Sequence, residues 1–153
     1  MEIQYLSDNM VFADNVAQWI YDEFIKDIRK GISYEQLSAS INDCHKSTLP
    51  IRLIAIEEGK CVGTISIVHN DLAYREYTPW LAALYVDLPY RKNKIGIQLV
   101  EKVKDIVRSL NYKELYLRTE FASDYYRKRG WQFVESCEDE FGLQPDVFRV
   151  TFE

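Results

Sequence analysis

Residues 80 to 119 constrain the fold more than any other stretch of the chain. Trp80 to Val86, WLAALYV, is a nearly continuous apolar run, the pattern of a strand buried on both faces. The basic turn PYRKNKIG follows. Leu99, Val103, Ile106 and Leu110 then recur at helical spacing, with Val100 and Val107 widening the same face and Asn111 ending it. Glu114 to Thr119 reads as a strand again. Two strands of one sheet joined by a crossover helix lie parallel, with a right-handed connection.

The flanking segments add antiparallel strands and further helices. Ile51 to Glu57 and Cys61 to His69 surround EEGK, a hairpin turn with glycine. Before them, Ile3 to Leu6 predicts a short strand, and Val16, Ile20 and Phe24 predict a helix that Gly31 ends. Ser33 and Gln36 form a capping-box pattern ahead of Tyr34, Leu37, Ile41 and Cys44. After residue 119, Ser123 to Arg129 predicts a short helix closed by Gly130, and Trp131 to Glu135 and Val147 to Phe152 the last strands. The order β, α, α, β, β, β, α, β, α, β, β describes a mixed sheet with helices on its faces. Neither a composition break nor a repeat divides the chain, so residues 1–153 are expected to form one domain.

Composition narrows the setting. A hydrophobic share of 47% and a charged share of 28% are those of an ordinary globular protein. No apolar run approaches the roughly 20 residues that span a bilayer, and the N-terminus lacks the basic and apolar regions of a signal peptide. Cys44, Cys61 and Cys137 are widely spaced and form no metal-ligand pattern, so reduced thiols, a cytoplasmic location and no metal are expected. A pI near 5.1 argues against general nucleic-acid binding.

Against a net charge of -5, the basic cluster at 91–94 is a local feature. Free amides and positive charge at a helix start are the physical requirements for holding phosphate. The plainer alternative is a solvated turn. Neither GxxxxGK followed by Ser or Thr, nor GxGxxG after a strand, occurs in the chain, which removes the usual nucleotide-binding signatures.

The element order, together with LYVDLPYRKNKIGIQLV and YLRTEFASDYYRKRGW, resembles the GNAT superfamily of acyl-CoA-dependent N-acyltransferases. The resemblance covers nearly the whole chain, most firmly residues 60 to 135. It implies a mixed α/β fold whose central, mostly antiparallel twisted sheet has about seven strands flanked by four helices. The family's phosphate loop carries glutamine or arginine, then glycine three residues on, then glycine or alanine two residues later. Arg91 and Gly96 fit that frame and Lys94 takes the place of the first glycine. The resemblance implies acetyl-CoA as co-substrate, held by Leu84, Tyr85 and Val86, by Arg91, Lys92, Asn93, Lys94, Ile95, Gly96 and Ile97, and by Thr119 and Tyr126. Tyr126, four residues before Gly130-Trp131, matches the family's tyrosine and is the candidate acid for the departing thiolate; Thr119 stands where asparagine is often seen.

Many members carry glutamate where this chain has Ala82, so the base has to come from elsewhere. By location the candidates are Asp71, Glu76 and Glu120, with His69 a candidate by its ordinary pKa. Two classes of function follow: an N-acetyltransferase acting on a primary amine, or a catalytically weak acyl-CoA-binding sensor or partner-binding module. The expected acceptor is a small-molecule or peptide amine, compact and cationic, met by Asp71, Glu76, Tyr74, Tyr77 and Trp80 and by Asp22, Glu23 and Asp27 of the first helix. A monomer or homodimer is expected, with no nucleic-acid or membrane partner.

Overall fold

The computed structural model describes residues 1–153. The chain runs through β1 (Glu2–Tyr5), α1 (Ala13–Ile20), α2 (Tyr34–Asn42), β2 (Ile51–Glu57), β3 (Lys60–Val68), β4 (Trp80–Val86), α3 (Ile95–Ser109), β5 (Glu114–Thr119), α4 (Ser123–Lys128), β6 (Gln132–Ser136) and β7 (Asp146–Thr151). Local chemistry explains several of these boundaries. Ser33 accepts from the Gln36 amide at 3.1 Å while the Gln36 side chain accepts from the Ser33 amide at 2.8 Å, a reciprocal cap on α2. Glu58 and Gly59 both take positive φ, 50° and 77°, the backbone that a two-residue hairpin needs to match strand twist.

All seven strands join one sheet in the order β1-β2-β3-β4-β5-β7-β6, antiparallel except for β4 beside β5. Alternation along β2 feeds two cores. Leu53 and Ala55 pack with Leu99, Val103 and Val107 of α3, whereas Ile54 packs with Val16, Ile20 and Ile41 of α1 and α2. The sheet is therefore covered on both faces at its centre, as the nearly continuous burial of Ile51 to Ala55 in β2 requires.

Three sequence expectations are corrected in detail. The first strand ends at Tyr5, and Leu6 is buried in a 3₁₀ turn. The first helix does not run regularly to Phe24. It stops at Ile20 and widens into a π-helical turn over Tyr21–Ile25, closed by the Lys26 amide donating to Tyr21 O at 2.8 Å. Finally, β4 is not buried on both faces throughout. Trp80 and Leu81 are buried, but Ala82 to Val86 are half-exposed. The reason is the pairing: β4 and β5 meet only at Trp80 and Tyr116, where the Tyr116 amide donates to Pro79 O at 3.0 Å. Beyond that point the strands part, and the apolar run lines a gap instead of a core.

Candidate active site

The gap between β4 and β5 is one part of the site. The register of β4 on β3 slips between Thr64 and Ser66, whose partners are Tyr85 and Ala82, so β4 carries one extra residue. Ala83, at φ 55°, takes the left-handed backbone of that bulge. A bulge breaks the ladder and leaves its extra residue unpaired, which turns backbone groups of β4 away from β3. The strand is thereby free to offer amides to a ligand.

The start of α3 is the second part. The amides of Ile95, Gly96 and Ile97 meet no carbonyl and no side-chain cap, so they retain their full donor capacity beside the positive end of the helix dipole. The packing of the protein does not itself demand glycine at Gly96, since an added Cβ would meet only Val86 Cγ2, at 3.8 Å. That position is open for close approach of a ligand. Lys94, the residue before the helix, is left-handed at φ 61°. Such backbone favours glycine and costs a lysine about 1–2 kcal/mol. The basic side chains divide their tasks. Lys92 and Lys94 are exposed, while Arg91 donates from Nε to Val86 O at 2.8 Å and lies 5.2 Å over the Tyr85 ring. Tyr85 itself leans on Trp19, with ring centroids 5.2 Å apart, and Ile95 is buried in the core beneath α3. Asn93 is tied to the turn, its amide donating to Tyr90 O at 3.2 Å.

Tyr126 joins two cavities. One, of about 430 Å³, opens between the strands and is also lined by Leu84 and Thr119. The other, of about 450 Å³, lies between α3 and α4 and is lined by Ile97, Lys104, Lys128, Arg129 and Trp131. The Tyr126 ring meets Trp131 edge-on at 6.0 Å, and burial raises its phenol pKa, so the hydroxyl keeps its proton at neutral pH. Thr119 accepts from the Ala122 amide at 3.0 Å and shapes the turn into α4.

The first cavity also gathers charge. Asp71, Glu120 and Glu23 line it together with Arg29 and Arg118. The Arg118 side chain is almost fully buried. Its Nη2 donates to Glu120 at 2.9 Å and to Asp139 at 2.6 Å, and its Nη1 to Asp71 O at 3.3 Å. Asp139 in turn accepts the amides of Phe141 and Leu143, pinning that loop over the cavity. Loss of solvent pushes the Asp71 carboxyl up to about 6; Arg29 and Arg118 oppose the shift and Glu120 and Glu140 add to it.

Other expected contributors lie elsewhere. Trp80 is fully buried and donates from Nε1 to Tyr77 O at 2.6 Å, and Tyr77 donates to Glu135 at 2.6 Å while stacking on Tyr116. Glu76, Asp22 and Asp27 are absent from the cavity wall, Tyr74 is 93% exposed, and His69 is an exposed strand end. Of the acidic and aromatic acceptor set, Asp71 and Glu23 alone reach the cavity. Sequence reasoning missed Arg29 and Arg118. No local signal marks Arg29, and Arg118 sits in an ordinary strand pattern whose ionic partner is 21 residues away.

Three further facts bear on partners. The cysteines are unpaired thiols, no group of three or more His, Cys, Asp or Glu side chains is placed to hold a metal, and no helix is long and apolar enough to cross a membrane.

The likeness to known proteins agrees with this geometry. An aminoglycoside 6'-N-acetyltransferase complexed with coenzyme A superposes with a TM-score of 0.75 at 19% identity, over 99% of this chain and 97% of that one. The aminoglycoside 6'-N-acetyltransferase from Enterococcus faecium gives 0.72 at 18% identity, over 99% and 97%. A GNAT-family acetyltransferase from Streptococcus pneumoniae gives 0.71 at 18% identity, over 99% of both chains. At these identities the likeness establishes the fold. The sequence profile of the acetyltransferase (GNAT) family matches residues 13–131, most of the chain and every lining residue of the two cavities except Leu143, and this protein belongs to that family.

Proposed function

We propose that the protein transfers an acetyl group from acetyl-CoA to a primary amine of a small molecule or peptide, by direct attack while both substrates are bound. The observation that carries this reading is the run of unpartnered amides at Ile95–Ile97, opening beside a gap between two parallel strands. The substrate supplies an activated thioester with a diphosphate behind it. The amides at the start of α3 and the charges of Lys92 and Lys94 hold the diphosphate. Amides of β4 near Leu84 to Val86 hold the thioester carbonyl oxygen. The cavity between α3 and α4, with Lys104, Lys128 and Arg129 around Trp131, accepts the nucleotide end.

In the reaction a C–N bond forms and the C–S bond breaks. Asp71 takes the proton of the attacking amine, directly or through a water, and its carboxyl, pushed up to about 6, is a stronger base than an ordinary carboxylate. Tyr126 gives its proton to the departing sulfur. Glu120, already paired with Arg118, tunes Asp71 and is not the base.

The test is thiol release from acetyl-CoA across an amine panel, compared with thermal stabilisation by acetyl-CoA alone. Tyr126→Phe should lower kcat by about 10²-fold or more and leave the thermal shift intact, the pattern of an interaction made in the transition state. An unchanged kcat, with chemistry rate-limiting, removes Tyr126 from the acid role. A thermal shift with no release on any amine identifies an acyl-CoA sensor instead.

A further inference from the structure

Arg29 and Glu23 are the charged groups of this cavity that the reaction above does not use, and Arg29 is the cation of the two. It follows the π-helical turn Tyr21–Ile25, and its amide donates to Ile25 O at 2.8 Å. Wide turns of this kind re-aim the residues after them and recur at functional sites. The side chain lines the cavity and sits 6.0 Å from the Phe141 ring. Its Nε is out of water and without a hydrogen-bond partner, and no carboxylate lies within ion-pair distance of its guanidinium. The other cavity charges are accounted for. Arg118, whose Nε is likewise unpartnered, is committed through its other nitrogens to Glu120 and Asp139, Asp71 is near enough to feel the Arg29 charge but forms no ion pair with it, and Glu23 is exposed. A buried N–H donor without an acceptor is costly, and a ligand carboxylate would supply one. Around it Ile20, Phe24, Ile28 and Leu143 supply apolar wall, sized for a small molecule.

We infer that the acceptor is a small amino-carboxylate, its carboxylate held by Arg29 and its amine turned toward Asp71. The inference rests on the acetyl-transfer reading of the same cavity and narrows its substrate class. It narrows the expectation of a compact cationic amine, which drew on Asp71 and Glu23 of the cavity wall and on Trp80, Glu76, Asp22 and Asp27 outside it. A guanidinium binds a carboxylate through two parallel N–H groups, a geometry that a lysine cannot copy.

The experiment uses the full chain with coenzyme A bound and two matched pairs, lysine against cadaverine and ornithine against putrescine. Turnover is read by thiol release and binding by calorimetry. The carboxylate-bearing member of each pair should have a kcat/KM higher by about 10- to 100-fold, the range of a charge-assisted hydrogen bond. Arg29→Ala should erase that preference, bringing each amino acid and its matched diamine within about two-fold of each other in kcat/KM whatever the variant's absolute rates, while Arg29→Lys restores only part of it. Diamines used as well as or better than their amino acids, or a preference that survives Arg29→Ala, overturns the inference and leaves acetyl transfer standing. Arg29-dependent binding of the amino acids without turnover supports the inference and counts against acetyl transfer. Neither turnover nor Arg29-dependent binding overturns it.

Discussion

Asp71 sets stability against chemistry at the scale of one residue. Its carboxyl ionises near 6 in the folded chain and near 3.8 unfolded, so between those values the folded state binds more protons. Stability from this group therefore falls as pH rises from about 4 to about 6, and the full penalty persists above that range. Each pKa unit corresponds to about 1.4 kcal/mol, so after allowance for partial solvent contact the penalty is on the order of 2 kcal/mol. Asp71→Asn should raise unfolding stability by that amount at pH 8, give almost no gain at pH 4, and lower kcat at every pH where the wild type is active. Denaturant unfolding at the two pH values checks the first part. A gain equal at both would mean that burial of the carboxylate is not its source. Lys94 and Ala83 carry a related burden, since neither is glycine and both hold left-handed backbone beside the site.

Among the elements, α3 carries the proposed cofactor end of the site. Its apolar face, Leu99, Val103 and Val107 at 0% exposure, seats it on the sheet. That seating leaves its first turn projecting past the end of β4, with Val86 beside Gly96. Gly63 permits the close approach beneath: a Cβ there would stand 3.2 Å from Tyr85 O. Gly96→Glu would set a carboxylate and bulk against the open amides, opposing a bound anion by both charge and volume. The thermal shift produced by acetyl-CoA, about 2.7 kcal/mol at a hundred-fold excess over Kd, should vanish in this variant while the unliganded melting temperature changes little. Retention of a wild-type shift would place the diphosphate elsewhere.

At the scale of the whole molecule, Arg118 links the sheet to the loop whose Leu143 lines the cavity between β4 and β5. Its side chain is 4% exposed and that of Asp139 0%, so their pairing is screened by little water. Removing one member strands the other, a loss of about 3–5 kcal/mol in buried pairs. Arg118→Met should cost about 3 kcal/mol, the low end, because Asp139 keeps two amide donors. It should also raise KM for the acceptor by loosening Leu143. Chemical denaturation and acceptor titration measure both effects; a loss under about 1 kcal/mol would show that the loop is held by other contacts. Periodicity alone was enough to place β4, β5 and α3, and Ser33 with Gln36 was enough to start α2, because burial on one face and capping are local demands. The helix start at Ile95, with its unpartnered amides, was legible for the same reason. The parting of β4 from β5 was not. A strand that lines a cleft and a strand buried in a core are both written as WLAALYV, since both exclude water from apolar side chains only through what lies across from them. Likewise Arg118 met Asp139 and Arg29 met the cavity only once distant segments were packed together. Local pattern therefore determined the elements and the family frame, and tertiary contact decided which charges face the cavity.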